Sequence, residues 1–464
     1  MGEATLRPVV SGPVTGGRHG WPFGGPLLDL DGYGYQQDEF FLEGTASRYR
    51  LAPGSELSRD GKWQAEPVET APYKTRILVI RPSDPSQFNG TVMVSWNNVS
   101  AGYDLFGGDS LELLENGWAF VGVTTQRVAI DGLPPTPMGL AAWDPERYGS
   151  LSHPGDDYSF DIFSQAGRAI GPDRAGDIDP MGGLAVRKVI AQGGSQSAGR
   201  LATYVNAVHP LAQVYDGYLL TIYFGTGSAL EVGDFVVNLA SLPASGERRG
   251  GGLRGTNLIR DDLDVPVMVV NSELEAIACH SVRQPDTDRF RTWEVAGTCH
   301  VSSQSMRARA PKFERDFGTE MVLNPGVNAV PMMPVFDAAM HHLRTWVDGG
   351  APPPVQPRID FAESGDAPEV VRDEHGIATG GIRLPQVEVP IAQNSAKPLA
   401  DDIYSVLGGS SHPFSDDKLR SLYGDPASYV ARFEEAARAA EKAGVLLPRD
   451  VEALVEEART TEWR

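Results

Sequence analysis

The stretch that most restricts the fold of this chain is residues 189–200, which read VIAQGGSQSAGR. An apolar run ends at two glycines, Ser195 follows, and a helical pattern of apolar side chains then runs through residues 201–207. Short apolar runs are typical of buried strands, and adjacent glycines permit a very tight bend. The order therefore predicts a strand, a tight turn with a serine at its tip, and a helix.

The same residues have the layout of a nucleophile elbow, in which a serine on a strained strand-to-helix turn exposes its hydroxyl above a sheet. A glycine precedes Ser195 by two positions, as the pattern requires, but Ser197 stands where a small residue, usually glycine, is expected. Ser197 is therefore a second candidate nucleophile; Ser195 is preferred because the apolar strand then ends shortly before the turn. We expect the amide of Gln196 and the dipole of the new helix to face an oxyanion formed at Ser195.

Apolar patterns elsewhere in the chain predict an α/β sheet. The candidate strands share short apolar runs and lie at residues 40–46, 75–81, 91–96, 118–124, 214–221, 265–270 and 290–295. Helical spacing of apolar residues occurs at residues 109–115, 158–170 and 337–347. Strands that alternate with helices indicate a mostly parallel central sheet flanked by helices, with residues 1–464 as a single domain.

Two segments depart from this alternation. Residues 223–264 are irregular and glycine-rich, and a long insertion of this kind predicts a lid or cap, with a surface excursion as the alternative. Residues 350–400 are rich in proline and glycine, and residues 420–464 are charged with a helical pattern. Residues 350–464 are therefore predicted to form a C-terminal wrapping segment followed by helices.

Composition argues against several classes of protein. The 464 residues include 40 basic and 61 acidic side chains, a formal charge of −21, which disfavours a nucleic-acid partner because phosphates attract a basic face. The two cysteines have no metal spacing and make no disulfide framework. No apolar span approaches about 18 residues, and residues 1–25 lack the apolar core of a signal peptide. We therefore expect a cytoplasmic protein with no membrane helix.

Cofactor and metal chemistry are weakly supported. The glycine pattern at Gly250, Gly252 and Gly255 follows a charged loop rather than a strand, so it does not predict a dinucleotide site. His153 lies near Asp156 and Asp157, a set that is able to bind a metal in principle, but an exposed polar loop is the preferred interpretation. We expect neither a cofactor nor a metal.

A serine nucleophile needs a general base, usually histidine, and an acid that orients it. Glu273 and Glu275 directly follow one predicted strand, and His300 follows the next. Glu275 is favoured as the acid because it lies deeper in the loop, and Glu273 is the alternate acid. The order along the chain is therefore serine, acid, histidine, which is the order of one large class of hydrolases.

An oxyanion site and a substrate pocket complete the set of candidates. The strand at residues 91–96 ends in two asparagines, and a backbone amide near Asn98 is the expected second oxyanion donor, with a purely turn-forming role as the alternative. Tyr223 and Phe224, together with Phe235, are candidates for the lining of an acyl or alcohol pocket.

Several stretches taken together resemble one family over nearly the whole chain. These are residues 12–17 (GPVTGG), 73–76 (YKTR), 96–100 (WNNVS), 194–200 (GSQSAGR), 272–275 (SELE), 293–297 (WEVAG) and 380–385 (GGIRLP). Their combination resembles the α/β-hydrolase-domain family. The resemblance implies an α/β-hydrolase fold and a triad of Ser195, His300 and an acid at Glu275, where relatives often carry aspartate. Glutamate reaches one methylene further, which keeps Glu273 as the alternate acid.

These observations predict a serine hydrolase that cleaves a carboxylic ester or a lactone through an acyl-enzyme. One alternative is an acyltransferase that uses the same triad, and another is a non-catalytic binding protein on a hydrolase fold. The expected partner is a small-molecule ester or lactone, with no nucleic acid and no membrane. The substrate itself and the oligomeric state do not follow from the sequence.

Overall fold

A computed structural model describes residues 7–133, 138–231, 255–362 and 368–461. These residues form two compact units, the first ending at Val267 and the second beginning at Met268. The predicted lid or cap at residues 223–264 is described only at its two ends, because residues 232–254, with Phe235 among them, lie outside the described residues. Its role and the single-domain assignment stay predictions.

The first unit contains a sheet in which the strands around Ser195 are parallel. Its strands are β1 (Val9–Ser11), β2 (Tyr35–Leu51), β3 (Ala65–Pro82), β4 (Thr91–Trp96), β5 (Ala119–Val123), β6 (Lys188–Gly194) and β7 (Gly217–Thr221), in the order β1-β2-β3-β5-β4-β6-β7. The β4–β5, β4–β6 and β6–β7 pairs are parallel, and the pairs from β1 through β3 to β5 are antiparallel. Every residue of β4, β5 and β7 is buried, as expected for parallel strands covered on both faces.

A long antiparallel hairpin formed by β2 and β3 goes beyond the prediction. The strands at residues 40–46 and 75–81 are confirmed, but the pairing extends from Tyr35 opposite Pro82 to Leu51 opposite Ala65, with one irregularity. Outside the buried apolar run, many side chains of the hairpin are exposed. The apolar pattern therefore indicated only the buried half, because the outer half is held by backbone pairing.

Within the described residues of the first unit, α-helices separate the later strands along the chain. They are α1 (Leu111–Glu115), α2 (Arg127–Asp131), α3 (Leu140–Trp143), α4 (Pro145–Tyr148), α5 (Ser159–Ile170), α6 (Gln196–Thr203) and α7 (His209–Ala212). The predicted helices at residues 109–115 and 158–170 are confirmed. The helix after the serine begins at Gln196 instead of residue 201, and it passes into a π-helical turn at Tyr204–Val208.

The second unit combines short strands with longer helices. Its elements are β8 (Val267–Ser272), α8 (Glu273–Ala278), β9 (Phe290–Val295), α9 (Ser303–Phe317), α10 (Met333–Val347), α11 (Pro385–Glu388), β10 (Ala392–Ser395), α12 (Ile403–Gly408), β11 (Ser410–Pro413), α13 (Asp416–Tyr423), α14 (Pro426–Lys442) and α15 (Pro448–Arg459). The strands predicted at residues 265–270 and 290–295 and the C-terminal helices are confirmed. Helix α9 was not predicted, because it contains Pro311 and buries only Asp316.

Within the second unit, the described part of residues 350–400 contacts the edge of β9 around Ile382. Ile382 donates to the carbonyl oxygen of Glu294 at 2.7 Å and accepts from the amide of Ala296 at 2.9 Å. Isolated bridges also join Ile359 to Gly380 and Arg372 to Ala378. This proline-rich segment therefore folds back on itself beside a buried strand. None of the helices in the described ranges combines the length and apolar character that a bilayer span requires.

Candidate active site

Ser195 occupies the turn between β6 and α6 in a conformation that is unusual for a residue other than glycine. Its φ is 60° and its ψ is −120°, and it is the N-cap residue of α6. The backbone amide of Ser195 donates to the carbonyl oxygen of Thr221 at 3.0 Å, and the carbonyl oxygen of Ser195 accepts from the Gly199 amide at 3.2 Å. A positive φ outside glycine costs free energy and is concentrated at functional sites. The half-buried serine is thus held in a strained strand-to-helix turn.

Glycines on β6 permit the close approach that this turn requires. A Cβ atom on Gly193 would lie 2.7 Å from the carbonyl oxygen of Ser197 and 2.9 Å from its carbonyl carbon. A Cβ atom on Gly194 would instead meet the hydroxyl of Thr221 at 2.9 Å. The first contact is with backbone that has little freedom to move, so Gly193 is needed for the strand and the helix to meet.

The hydroxyl of Ser197 is used within the turn. It donates to the carbonyl oxygen of Gly194 at 2.8 Å and accepts from the Gly194 amide at 3.2 Å, and the side chain is almost wholly buried. These bonds stabilise the bend in the chain that presents Ser195. The geometry therefore favours Ser195 over Ser197 as the candidate nucleophile.

The two candidate oxyanion residues lie in segments that contact the turn. Gln196 is the first residue of α6, and the first amides of a helix have no acceptor within that helix. Asn98 donates from Nδ2 to the carbonyl oxygen of Gly194 at 3.0 Å, while its Oδ1 accepts from the amide of Ser100 at 2.8 Å. The amide of Leu105 donates to the carbonyl oxygen of Asn98 at 2.9 Å and closes this loop. The loop after β4 is thereby tied to the elbow.

A buried ionic cluster anchors the same loop. Oδ2 of Asp104 accepts from Arg76 Nη2 at 2.9 Å and from Asn97 Nδ2 at 3.2 Å. Arg76 also contacts Glu39 at 2.8 Å, and Glu39 contacts Arg147 at 2.6 Å. Burial opposes the charge on Arg76, but the neighbouring Tyr148, Asp104 and Glu39 outweigh it and raise the pKa of this guanidinium. Two carboxylates and two guanidiniums balance, which explains how so many charges are buried.

In the second unit, His300 and Glu275 form a hydrogen-bonded pair. His300 Nδ1 lies 2.7 Å from Oε1 of Glu275, a carboxylate with no exposed surface. The other oxygen, Oε2, accepts from the amide of Ser272 at 3.2 Å and from the Ser272 hydroxyl. Ser272 and Glu275 form the capping box of α8, so the start of the helix fixes the carboxylate. A donor at Nδ1 leaves Nε2 as the basic nitrogen of a neutral imidazole.

Glu273 is buried equally deeply but has other partners. Its Oε1 accepts from Nη2 of Arg372 at 2.6 Å and from the amide of Ala396 at 3.3 Å. Its Oε2 accepts from the amide of Gly297 at 3.1 Å. The carboxylate is therefore neutralised by an arginine and held by backbone, and the structure places Glu275, not Glu273, against the histidine.

Tyr223 is buried and Phe224 half-buried just after β7, and their pocket role stays a prediction. The expectation of an exposed polar loop around Asp156 is wrong: the side chain is buried and pairs with Arg200 at 3.0 Å. Across the described ranges, no cluster of three or more His, Cys, Asp or Glu residues is arranged to hold a metal.

Sequence reasoning missed the residues that hold the candidate site in place. Ser272 carried a usable signal, because a serine three positions before a glutamate is the spacing of a capping box. Arg372 carried none, since it is 99 residues from Glu273 along the chain. Gln126, which binds the side chain of Gln196 at 3.0 Å, was also overlooked.

No curated protein matches the chain. A solved structure of esterase Est22 is 14% identical over 62% of this chain and 78% of its own, with a TM-score of 0.31. Est22 with p-nitrophenol is 11% identical over 52% of this chain and 64% of its own (TM-score 0.25). A brefeldin A esterase, a bacterial homologue of human hormone sensitive lipase, is 12% identical over 59% and 72% (TM-score 0.26).

The family comparison covers far more of the sequence than these structures do. The model for the alpha/beta hydrolase domain matches residues 10–456, which include both units, the serine turn and the glutamate–histidine pair. This chain therefore belongs to the alpha/beta hydrolase domain family.

Proposed function

We propose that the protein is a serine hydrolase that cleaves a carboxylic ester or a lactone through an acyl-enzyme. Ser195 is the nucleophile, His300 the general base, and Glu275 the carboxylate that orients the imidazole. The observation that carries this proposal is the backbone of Ser195, a serine at φ 60° between a buried strand and a helix. Such a turn presents a hydroxyl at the start of a helix, where an oxyanion is stabilised.

In the proposed reaction, Nε2 of His300 takes the proton of the Ser195 hydroxyl as the serine oxygen attacks the substrate carbonyl carbon. The amides of Gln196 and of the Asn98 loop stabilise the negative oxygen that forms. The imidazolium is stabilised by Glu275 and gives its proton to the departing alkoxide as the ester bond breaks. A water molecule, deprotonated by His300, then attacks the acyl-enzyme and restores Ser195.

The environment of Glu275 supports its role. A carboxylate that accepts from an amide and a hydroxyl is fixed in orientation, so the imidazole that contacts it is held in the tautomer with its proton on Nδ1. Tyr223 and Phe224, which follow β7, are proposed to contact the acyl or alcohol part of the substrate. An acyltransferase would use the same residues, with an alcohol or amine replacing water in the second step.

The test is labelling with a fluorophosphonate, followed by intact mass. We expect one adduct on the wild-type protein and on Ser197→Ala, and none on Ser195→Ala. His300→Ala should label about 100-fold or more slowly, because it lacks the general base. Ser195→Ala should also lose hydrolysis of p-nitrophenyl esters and of simple lactones.

If Ser195→Ala kept most of its ester hydrolysis, the assignment of Ser195 as the nucleophile would be wrong. An adduct lost only in Ser197→Ala would move the nucleophile by two residues. No adduct on a folded wild-type protein would favour the non-catalytic alternative. Adding acceptor alcohols to the assay and measuring the ratio of ester to acid products separates hydrolysis from acyl transfer.

A further inference from the structure

A continuous set of hydrogen-bonded side chains joins the first turn of α6 to residues outside it. Gln196 donates from Nε2 to Oε1 of Gln126 at 3.0 Å, and Gln126 donates from its own Nε2 to Oδ2 of Asp156 at 2.9 Å. Arg200 donates to the same oxygen of Asp156 at 3.0 Å. We call Gln126, Asp156 and Arg200 the α6 brace.

Hydrogen bonds of the brace involve both ends of the first turn of α6. Gln196 and Arg200 are four residues apart, so their side chains lie on the same face of the helix. Gln126 is the N-cap residue of α2, and Asp156 begins the 3-10 helix Asp156–Tyr158. The first turn of α6 is therefore attached to elements that lie far from it in the sequence.

The orientation of Gln126 is fixed by its partners. Its oxygen accepts from Gln196 and from Nε1 of Trp96 at 3.2 Å, and its nitrogen donates to a carboxylate. An exchange of the oxygen and nitrogen would set donors against donors, so only one arrangement satisfies all three bonds. Gln126 is 2% exposed and Asp156 6%, so water has little access to the bond between them.

The charges within the brace are compensated. Asp156 faces Arg200, and its Oδ1 accepts from the backbone amide of Arg127 at 2.9 Å. A buried and balanced ion pair behind Gln126 gives this glutamine a fixed support. Helix ends fray more readily than helix centres, and Gln196 is the first residue of its helix.

We propose that Gln126 is a positioning residue that holds the backbone amide of Gln196 in line with the oxyanion. This inference rests on the proposed function and adds to it a residue that touches no reacting atom. Electrostatic stabilisation depends on donors that are already aligned before the charge develops. Loss of the Gln126 bond should therefore weaken the transition state more than the binding of the substrate.

The chain provides a matched control in Gln165, on α5. It is 1% exposed and also makes three side-chain hydrogen bonds, donating to the carbonyl oxygen of Thr45 at 2.8 Å and to Asp161 at 2.9 Å, and accepting from Tyr73 at 2.9 Å. Those partners belong to α5, β2 and β3 and not to the elbow. Gln126→Met and Gln165→Met therefore each remove three side-chain hydrogen bonds from a buried glutamine, at different places.

The experiment compares these two variants by kcat and KM on p-nitrophenyl acetate and by amide hydrogen exchange of a peptide covering residues 196–200. We expect Gln126→Met to lower kcat about 10- to 100-fold with KM changed less than about threefold, because a small misplacement of a catalytic group carries a cost of this size. Exchange in the peptide should be faster than in wild type. Gln165→Met should keep kcat within about twofold and leave exchange in that peptide unchanged.

A third variant, Gln196→Ala, separates the side chain from the amide. It keeps the backbone donor but loses the bond to Gln126, so it should lose kcat to the same extent. Adding Gln126→Met to it should cause no further loss, as expected for two residues that act through one bond. Additive losses would overturn the proposal.

The outcomes distinguish this inference from the proposed function. If the fluorophosphonate labels wild-type Ser195 but Gln126→Met keeps its kcat, the positioning role is wrong and the hydrolase proposal stands. If wild-type Ser195 is not labelled, the hydrolase proposal fails and hydrogen exchange decides the role of the brace. Equal rates of amide exchange at residues 196–200 in Gln126→Met and Gln165→Met would then overturn the positioning role of Gln126.

Discussion

At the scale of single residues, neighbours in the sequence have separate structural roles. Glu273 and Glu275 are two positions apart at the start of α8, and both are wholly buried. Two helical positions differ by about 200° around the helix axis, so their side chains point in nearly opposite directions. Glu275 therefore contacts His300 while Glu273 contacts Arg372.

This separation predicts different effects for two matched substitutions. Glu275→Gln should lower kcat by about 10²- to 10⁴-fold, because the amide neither stabilises the imidazolium nor enforces its tautomer. Glu273→Gln should keep most of kcat but lower the free energy of unfolding by about 1.5–3 kcal/mol, because Arg372 loses its charged partner. Steady-state kinetics and urea unfolding of both variants check this. A larger loss of kcat in Glu273→Gln than in Glu275→Gln would instead identify Glu273 as the carboxylate that orients His300.

At the scale of elements, the site depends on how closely β6 and α6 approach. The strand ends at Gly194 and the helix begins at Gln196, which leaves Ser195 as the only residue between them. So short a connection forces the positive φ of Ser195 and brings the carbonyl of Ser197 against Gly193. The elbow therefore depends on the close packing of β6 against α6 as well as on the local sequence.

Two alanine substitutions in β6 distinguish these contacts. Gly193→Ala should destabilise the protein by about 1–3 kcal/mol and slow fluorophosphonate labelling, since its Cβ meets rigid backbone. Gly194→Ala should cost less, because the atom that its Cβ meets is the rotatable hydroxyl of Thr221. Thermal unfolding and labelling rates compare the two. An equal or smaller effect at Gly193 would contradict the account of this close approach.

At the scale of the whole molecule, buried titratable groups link stability to pH. His209, on α7, is 4% exposed, its Nδ1 lies 2.8 Å from the hydroxyl of Tyr218, and its Nε2 lies 3.7 Å from Asp264. Burial lowers the pKa of this imidazole, and the attraction of Asp264 only partly opposes that effect. The folded protein therefore binds a proton at His209 only at a lower pH than an unfolded chain does.

The sign of the pH effect follows from this difference. Below about pH 6.5 the unfolded state binds a proton at this position more readily than the native state does. The free energy of unfolding therefore decreases as the pH is lowered, until the pH reaches the native pKa. His209→Gln should therefore lose less stability between pH 7 and pH 5 than wild type does. Urea unfolding of both proteins between pH 7 and pH 5 tests this expectation. The control is His412→Gln, because His412 is exposed. An unchanged pH dependence in His209→Gln would refute it.

Much of the fold was predictable because it is encoded by neighbouring residues. Continuous apolar runs indicated strands such as β4 and β9, and glycines beside Ser195 indicated the turn before α6. Motifs spread along the chain predicted the family, and the match over residues 10–456 confirms the fold class. Helix α9 and the outer half of the β2–β3 hairpin escaped prediction, because their residues bury too little apolar surface to leave a periodic pattern.

By itself, then, the sequence determined the strands, the serine turn and the candidates for acid and base, since propensity and periodicity act over a few residues. Only the tertiary structure decided which glutamate meets His300, that Asp156 is buried, and that Gln126 holds Gln196 across 70 residues of chain. Such contacts join segments remote in the sequence. Their geometry is set by how strands and helices pack, which no local pattern records.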